Sequence, residues 1–402
     1  MTSKGDQGTV RALNRRLVLR LLREEGPASR TDLADRTGLS NGALTRIVGE
    51  LIDEQYLCEL SVGASTGGRR PVLLDLDAST HVVAGLKLMD DAILAVLVDL
   101  KGGVVADTRT GLRSHDTHSV LGRAADVIDR LLIRAAVPRS GLAGVGLCMP
   151  GAVDWQSGVC RLSPILGWRD VHVAEMLHER VGVPVSVDND VNALAVAESL
   201  FGRGRRARDF AVVTVGRGVG AGIVGNGTVH RGYRGGAGEF GHQVSEVGGR
   251  TCECGRLGCL EAYVSDHALL DRAHEYGGRY ARLDMAGFVS DVADGDARMV
   301  ELYLDVVRRL GVAVANLVNL LSPELVVLGG EAAYLTEQFV ADVRTEVDQH
   351  TFGGLPPSFT LDIDDWRSDR TAWARGAASL AMEHVFDPLI QASMQTHGVA
   401  IA

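Results

Sequence analysis

Four residues restrict how this chain can fold: His242, Cys252, Cys254 and Cys259. They stand in the run Gly238-Glu239-Phe240-Gly241-His242 and, after nine intervening residues, Cys252-Glu253-Cys254-Gly255-Arg256-Leu257-Gly258-Cys259-Leu260-Glu261. Three thiolates and one imidazole make a closed tetrahedral shell, the ligand set of structural zinc. Gly255 and Gly258 let the backbone bend tightly enough to aim three sulfurs at one point. The plainer alternative is three unrelated core cysteines. Half of the chain's six cysteines fall within eight positions, which favours the metal. Glu239 and Glu261 flank the ligand set, so a metal here would also hold two carboxylates in place, as a polar small-molecule site requires.

The 402 residues suffice for two or three domains with substantial cores. Nothing approaches eighteen consecutive apolar residues, and no apolar stretch follows the basic N-terminus, so the expected location is the cytoplasm. Cys58, Cys148 and Cys160 are scattered in apolar surroundings and read as buried free thiols. Charge is unevenly spread. Residues 1–72 carry 11 Lys/Arg against 9 Asp/Glu, which leaves 30 against 42 for the remainder. A basic head on an acidic body fits a nucleic-acid-binding segment joined to something else, although a solvated basic helix has the same charge count.

The head spans residues 1–76. Leu13, Leu17, Val18, Leu21 and Leu22 recur at helical spacing up to Gly26-Pro27. Ser29 can cap a short helix through Arg36, Gly38-Leu39-Ser40 makes a turn, and a second helix follows with Leu44, Ile47, Val48, Leu51 and Ile52 inward. Helix, short turn with Gly, helix is the helix-turn-helix pattern. Tyr56–Leu60 and Val72–Leu74 read as two strands around a Gly- and Arg-rich loop, which completes a winged helix-turn-helix. Asn41, Thr45 and Arg46 lie near the N-terminal end of the second helix, where such helices meet base edges with paired hydrogen bonds. Arg69 and Arg70 at the wing tip suit a minor groove or phosphate. A small protein-interaction domain is the alternative for this segment.

The rest reads as α/β. Strand-like runs at 81–88, 92–100, 142–149, 183–187, 209–215 and 325–329 alternate with helical patterns at 119–136, 171–181 and 299–321, and a last helix covers about 371–386. Alternation of this kind predicts a largely parallel sheet covered on its faces. No internal repeat is evident.

With these motifs placed, the chain resembles the ROK family of repressors, open reading frames and sugar kinases. The resemblance rests on the His/Cys run, on Val187-Asp188-Asn189-Asp190-Val191-Asn192-Ala193, on the glycine loop Val215-Gly216-Arg217-Gly218-Val219-Gly220-Ala221-Gly222, and on Val327-Leu328-Gly329-Gly330. It implies a two-lobed actin-like (ribonuclease H-like) sugar-kinase fold with structural zinc behind the winged head. The expected division is 1–76, then a small α/β lobe 77–190 completed by the C-terminal helix 371–402, then a larger lobe 191–370 carrying the zinc site and a dimerisation surface. The resemblance also implies a sugar site of Asn189, Asp190, Glu239, His242 and Glu261. The residue set makes chemical sense: carboxylates accept from paired hydroxyls, an amide adds a donor, and His242 can bind metal through one ring nitrogen and face a ligand with the other.

Family kinases open this body with Asp-x-Gly-Gly-Thr, whose glycines admit phosphate to the backbone. Counting back from Val98-Asp99-Leu100, the matching positions are Lys87, Met89, Asp90 and Asp91. Two carboxylates would repel a polyphosphate, and Met89 blocks the backbone. Arg217 alters the second glycine loop and could itself bind an anion. Ile165, in Ser163–Trp168, stands where family kinases often place an Asn, so one hydroxyl contact is expected to be missing. The expected function is therefore a sugar-responsive transcriptional regulator, a repressor of carbohydrate-metabolism genes that binds a palindromic operator as a homodimer or homotetramer. Asp190 is not catalytic in that reading, only a retained base. The rivals are an ATP-dependent sugar kinase that also regulates, and a zinc-responsive regulator.

Overall fold

Helix caps set the geometry of the N-terminal head. The computed structural model describes residues 7–60, 72–332, 334–353, 359–364 and 371–386. Helix α1 (Gln7–Glu25) turns Val18, Leu19 and Leu22 inward. A two-residue strand β1 (Ala28–Ser29) leads into α2 (Arg30–Thr37), which Ser29 starts with a capping box. The Ser29 hydroxyl accepts from the Asp32 amide, and the Asp32 carboxylate accepts from the Ser29 amide. Two otherwise orphaned donors are satisfied reciprocally. Ser40 likewise caps α3 (Asn41–Asp53), whose buried face is Leu44, Ile47, Val48 and Leu51. Strands β2 (Leu57–Leu60) and β3 (Leu73–Leu76) pair antiparallel, with β1 on the far side of β3. Both wing strands expected from the sequence are present, displaced by one or two residues. Residues 61–71, including Arg69 and Arg70, lie outside the described residues.

The body's first sheet starts as a meander of β4 (Val82–Leu88), β5 (Ala92–Asp99) and β6 (Val104–Gly111). Helix α4 (Thr117–Arg134) crosses to β7 (Leu142–Met149), parallel to β4. Three short strands, β8 (Ala152–Asp154), β9 (Val159–Ser163) and β10 (Trp168–Val171), form a separate antiparallel sheet. Helix α5 (Val173–Val181) then delivers β11 (Val185–Asn189) beside β7, giving the order β11-β7-β4-β5-β6.

The chain divides into two compact units, one of residues up to Asp190 plus the helix from Trp373, the other Val191–Ala372. The second contains α6 (Asp190–Phe201) from its second residue on, then β12 (Phe210–Val215), β13 (Val219–Gly225) and β14 (Thr228–Val229). After the His/Cys run come α7 (Glu261–Val264), α8 (Asp266–His274), α9 (Met285–Ala293) and the 25-residue α10 (Ala297–Leu321). Strand β15 (Leu325–Gly329), α11 (Glu337–His350) and β16 (Thr360–Asp364) complete the sheet β14-β13-β12-β15-β16. Both five-stranded sheets have one plan, an antiparallel meander whose first strand continues into two parallel neighbours. The expected largely parallel sheet is thus corrected to two mixed sheets. The connections at 89–91 and 216–218 are too short for a crossover and force hairpins.

Helix α12 (Ala372–Phe386) closes the first unit and rests on its sheet at two glycines. A Cβ on Gly146 would lie 1.7 Å from the Ala377 carbonyl oxygen, and one on Gly85 2.0 Å from that of Ala374. Backbone cannot yield as a flexible side chain can, so Gly146→Ala is expected to lower unfolding stability by about 3 kcal/mol, measurable as an earlier urea midpoint. Among the described residues no helix is long and apolar enough to cross a membrane. Cys148 and Cys160 are buried thiols, and burial pushes Cys160 up to about 11. Cys58 is only half-buried, on the edge strand β2, contrary to the sequence reading.

Candidate functional site

The His/Cys run folds as a chain of tight turns. His242 ends a 3-10 turn over Phe240–His242, and isolated bridges pair Val244 with Cys259 and Thr251 with Leu257. Gly258 adopts φ +77°, and a Cβ there would meet the Glu246 carbonyl oxygen at 1.7 Å, so only glycine fits. One donor atom from each of His242, Cys252, Cys254 and Cys259 lies within 4.8 Å of all the others. Cys254 Sγ and Cys259 Sγ are 3.7 Å apart, and Cys252 Sγ is 3.8 Å from His242 Nδ1. Zinc with bonds of about 2.3 Å to sulfur and 2.0 Å to nitrogen would separate tetrahedral ligands by roughly 3.8 and 3.5 Å. The donor set and its spacing therefore fit such an ion.

With Nδ1 toward the sulfurs, His242 presents Nε2 to Glu239, whose Oε2 is 3.8 Å away. Glu239 keeps 46% of its side chain exposed, so a solute can reach it. Glu261, the first residue of α7, accepts from the Val219 amide at 2.9 Å with Oε2 and holds Oε1 3.7 Å from Cys252 Sγ. The structure thus brings Glu239, His242 and Glu261 to one locus around the cysteines.

A buttress behind this locus escaped the sequence reading. Arg309 of α10 donates to Ser245, Glu246 and Asp305, and its guanidinium lies 3.9 Å from the Tyr263 ring centroid. The Tyr263 hydroxyl accepts from the Arg250 amide. Helix α10 so clamps the turn between His242 and Cys252 of the cluster. Arg217, considered as an anion site, instead forks onto Glu253 with two 2.9 Å bonds. That guanidinium holds the Glu253 carboxyl below its ordinary range.

In the first unit, Asn189 ends β11 and donates from Nδ2 to the Gly151 carbonyl at 3.0 Å. Asp190 is the first residue of α6, where the helix dipole favours a carboxylate. Lys87 is buried near the end of β4, with Nζ 3.5 Å from the centroid of the Trp373 ring. Met89–Asp91 form a hairpin turn closed by the Met89 amide on the Ala92 carbonyl, and Asp91 pairs with Arg109 at 2.6 Å. Ile165 is half-buried between β9 and β10.

On the head, Asn41, Thr45 and Arg46 share the exposed face of α3. The Thr45 hydroxyl donates to the Asn41 carbonyl at 2.8 Å, so only its acceptor lone pairs face outward. The expected basic head is partly neutralised: Arg11 and Arg15 of α1 pair with Glu50 of α3 and with Glu54 just after it.

A winged helix-turn-helix joined to two sheets of one topology, with a Cys3His cluster in the second, defines a class: DNA-binding heads on a sugar-kinase-type body. The chain belongs to the ROK family, whose profile matches residues 83–384, while a winged helix-turn-helix DNA-binding profile matches residues 11–57. It is 30% identical over 360 residues to the xylose repressor of Caldicellulosiruptor bescii, covering 87% of this chain and 90% of that one. It is 31% identical over 338 residues to the DNA-binding transcriptional dual regulator NagC of Escherichia coli, covering 81% and 82%. The crystal structure of a ROK family transcriptional regulator, a homolog of E. coli MLC protein, superposes with TM-score 0.83 at 26% identity over 96% of this chain and 99% of that one. A ROK hexokinase from Thermus thermophilus matches with TM-score 0.65 at 30% identity over 76% and 99%.

Proposed function

We propose that this chain is a sugar-responsive transcriptional repressor of carbohydrate-metabolism genes. One observation carries the reading: a DNA-binding head and a ROK body lie on one chain, and relatives matched along most of their length bear the names of sugar repressors. In this reading zinc is held by His242, Cys252, Cys254 and Cys259 and supplies rigidity, with no reaction assigned to it. The sugar is held by Asn189, Asp190, Glu239, His242 and Glu261. Asn41, Thr45 and Arg46 meet base edges, Arg69 and Arg70 meet phosphate or minor groove, and a homodimer or homotetramer reads a palindrome. The buried ammonium of Lys87 and the carboxylates of Asp90 and Asp91 support a body that binds no ATP phosphates.

Fluorescence anisotropy on an operator duplex selected from a random library tests the reading, with D-xylose, N-acetylglucosamine and a panel of other sugars as titrants. Release by at least one sugar is expected, and measured sugar binding without any change in operator affinity would defeat it. Arg46→Ala is expected to raise operator Kd roughly tenfold to a hundredfold at fixed salt, from the loss of one bidentate base contact. A sugar-kinase activity is the second reading, favoured by the retained Asp190 and the likeness to the Thermus hexokinase.

A further inference from the structure

Helix α12 belongs to the head and to the body at once. Its Ala374, Ala378, Ala381, Met382 and Phe386 share one buried cluster with Val18, Leu19 and Leu22 of α1, with the core of α3, and with Val83, Val96 and Val98 of the body's sheet. At its C-terminal end the Arg23 guanidinium of α1 lies 5.5 Å from the Phe386 ring centroid. Tyr56 stacks on His81 at 4.6 Å, His81 Nε2 bonds the Glu54 carbonyl at 2.9 Å, and Lys101 pairs with Asp75 at 2.5 Å.

The N-terminal end of α12 meets β4 and β7, and β7 is the neighbour of the strand that ends in the proposed sugar ligand Asn189. Trp373 lies under the Lys87 ammonium, and its carbonyl accepts from Cys148 Sγ at 3.6 Å. Cys148 is in register with Lys87 on one neighbouring strand and with Asp188 on the other, so the three form one row across β4, β7 and β11. Asp188 accepts from the Asn189 amide at 2.8 Å, and Asp190 follows directly. Between its two ends the helix backbone sits directly on Gly85 and Gly146. Close-packed elements of this kind shift as rigid bodies rather than deform. From Trp373 to Phe386 the helix spans about 20 Å at 1.5 Å per residue.

We infer that α12 is the strut that couples the strand ends at Asp188–Asp190 to the DNA-binding head. The inference rests on the repressor reading. A ligand on Asn189 and Asp190 alters the row beneath Trp373, α12 moves as a unit, and Phe386 carries that movement to α1. Coupling free energy is reciprocal, so operator binding at α3 must be felt at the far end of the strut.

Reciprocity gives a test that needs no sugar. Hydrogen exchange is followed on the full chain with and without the selected operator duplex. In the wild type, operator is expected to slow exchange at residues 185–190 and 372–378 roughly fivefold or more. Phe386→Ala is expected to bind the duplex through an unaltered α3 and to lose that remote protection. Should this variant fold poorly, Arg23→Met, which keeps an apolar stem but removes the cation from the Phe386 ring, is expected to weaken the transfer in the same direction. Operator binding without remote protection in the wild type, or full protection in both variants, overturns the strut and leaves the repressor reading standing. Failure to bind any selected duplex overturns both.

Discussion

Cys254→Ser is expected to strip the metal from the protein and to lower the melting temperature of the second unit by about 10 °C. A serine hydroxyl stays protonated near neutral pH and is a poor zinc ligand, while Cys252, Cys259 and His242 alone cannot close a tetrahedron. In small zinc modules the ion supplies on the order of 10 kcal/mol and the apo form unfolds. Here the turns have other supports. Arg309 holds Ser245 and Glu246, and Tyr263 caps the Arg250 amide. The loss should therefore be partial, about 3 kcal/mol, which for a unit of this size corresponds to roughly 6–12 °C. Metal analysis should fall from about one zinc per chain to a small fraction, and calorimetry should show the shifted transition. Chelation of the wild type should reproduce the variant. An unchanged melting temperature with the metal fully removed would show that the turns stand without an ion. Because Glu239 faces His242 and Glu261 lies beside Cys252, the same variant should also lose sugar binding.

The parts of this molecule that the sequence discloses are those fixed by short-range rules. The helix cap at Ser29, the inward face of α3 and the cysteine spacing are each written within a dozen residues, and each is found in place. Strand β6 was invisible because, as an edge strand with alternate residues exposed, it carries little apolar signal. Strand β13 reads Val-Gly-Ala-Gly-Ile-Val-Gly, a composition that resembles a phosphate loop more than a strand. Gly220 and Gly222 are explained by α6, since a Cβ on Gly222 would lie 2.7 Å from the Val191 carbonyl oxygen and one on Gly220 2.9 Å from Val191 Cγ2. The shared plan of the two sheets leaves no trace because topology constrains hydrogen-bond order, not side-chain identity. At the candidate site the ligands were legible and their supports were not. Arg309 stands 63 residues from Glu246, and only the register of α10 against the turns brings them together. Trp373 is far more remote from Lys87 in the chain, and nothing in Met89-Asp90-Asp91 announces that the neighbouring lysine lies over an indole.

Glu239→Ala is expected to raise the Kd of the effector sugar by about 100-fold while leaving sugar-free operator affinity unchanged. A hydrogen bond to a charged acceptor contributes about 1.5–3 kcal/mol, and a carboxylate that accepts from two sugar hydroxyls reaches the upper end. Glu239 is well placed for such a role: it is reachable by solute and lies 3.8 Å from His242 Nε2. Asp190→Asn separates the two functional readings. The amide is nearly isosteric with the carboxylate, keeps one acceptor oxygen and gains donors. A sensor should therefore retain sugar-dependent release with an effector Kd raised only about tenfold. A kinase has no such tolerance, because the amide cannot take the proton of an attacking hydroxyl, and the loss of a general base costs roughly 10²–10⁴ in turnover. Isothermal titration with the sugar, anisotropy with the operator and an ATP-dependent phosphorylation assay on the same two variants distinguish these outcomes. Weakened but persistent induction in Asp190→Asn, with no phosphorylation by the wild type, is the sensor's signature. Wild-type turnover abolished in Asp190→Asn would instead make this body an enzyme, and the buried Lys87 would then have to be compatible with bound nucleotide.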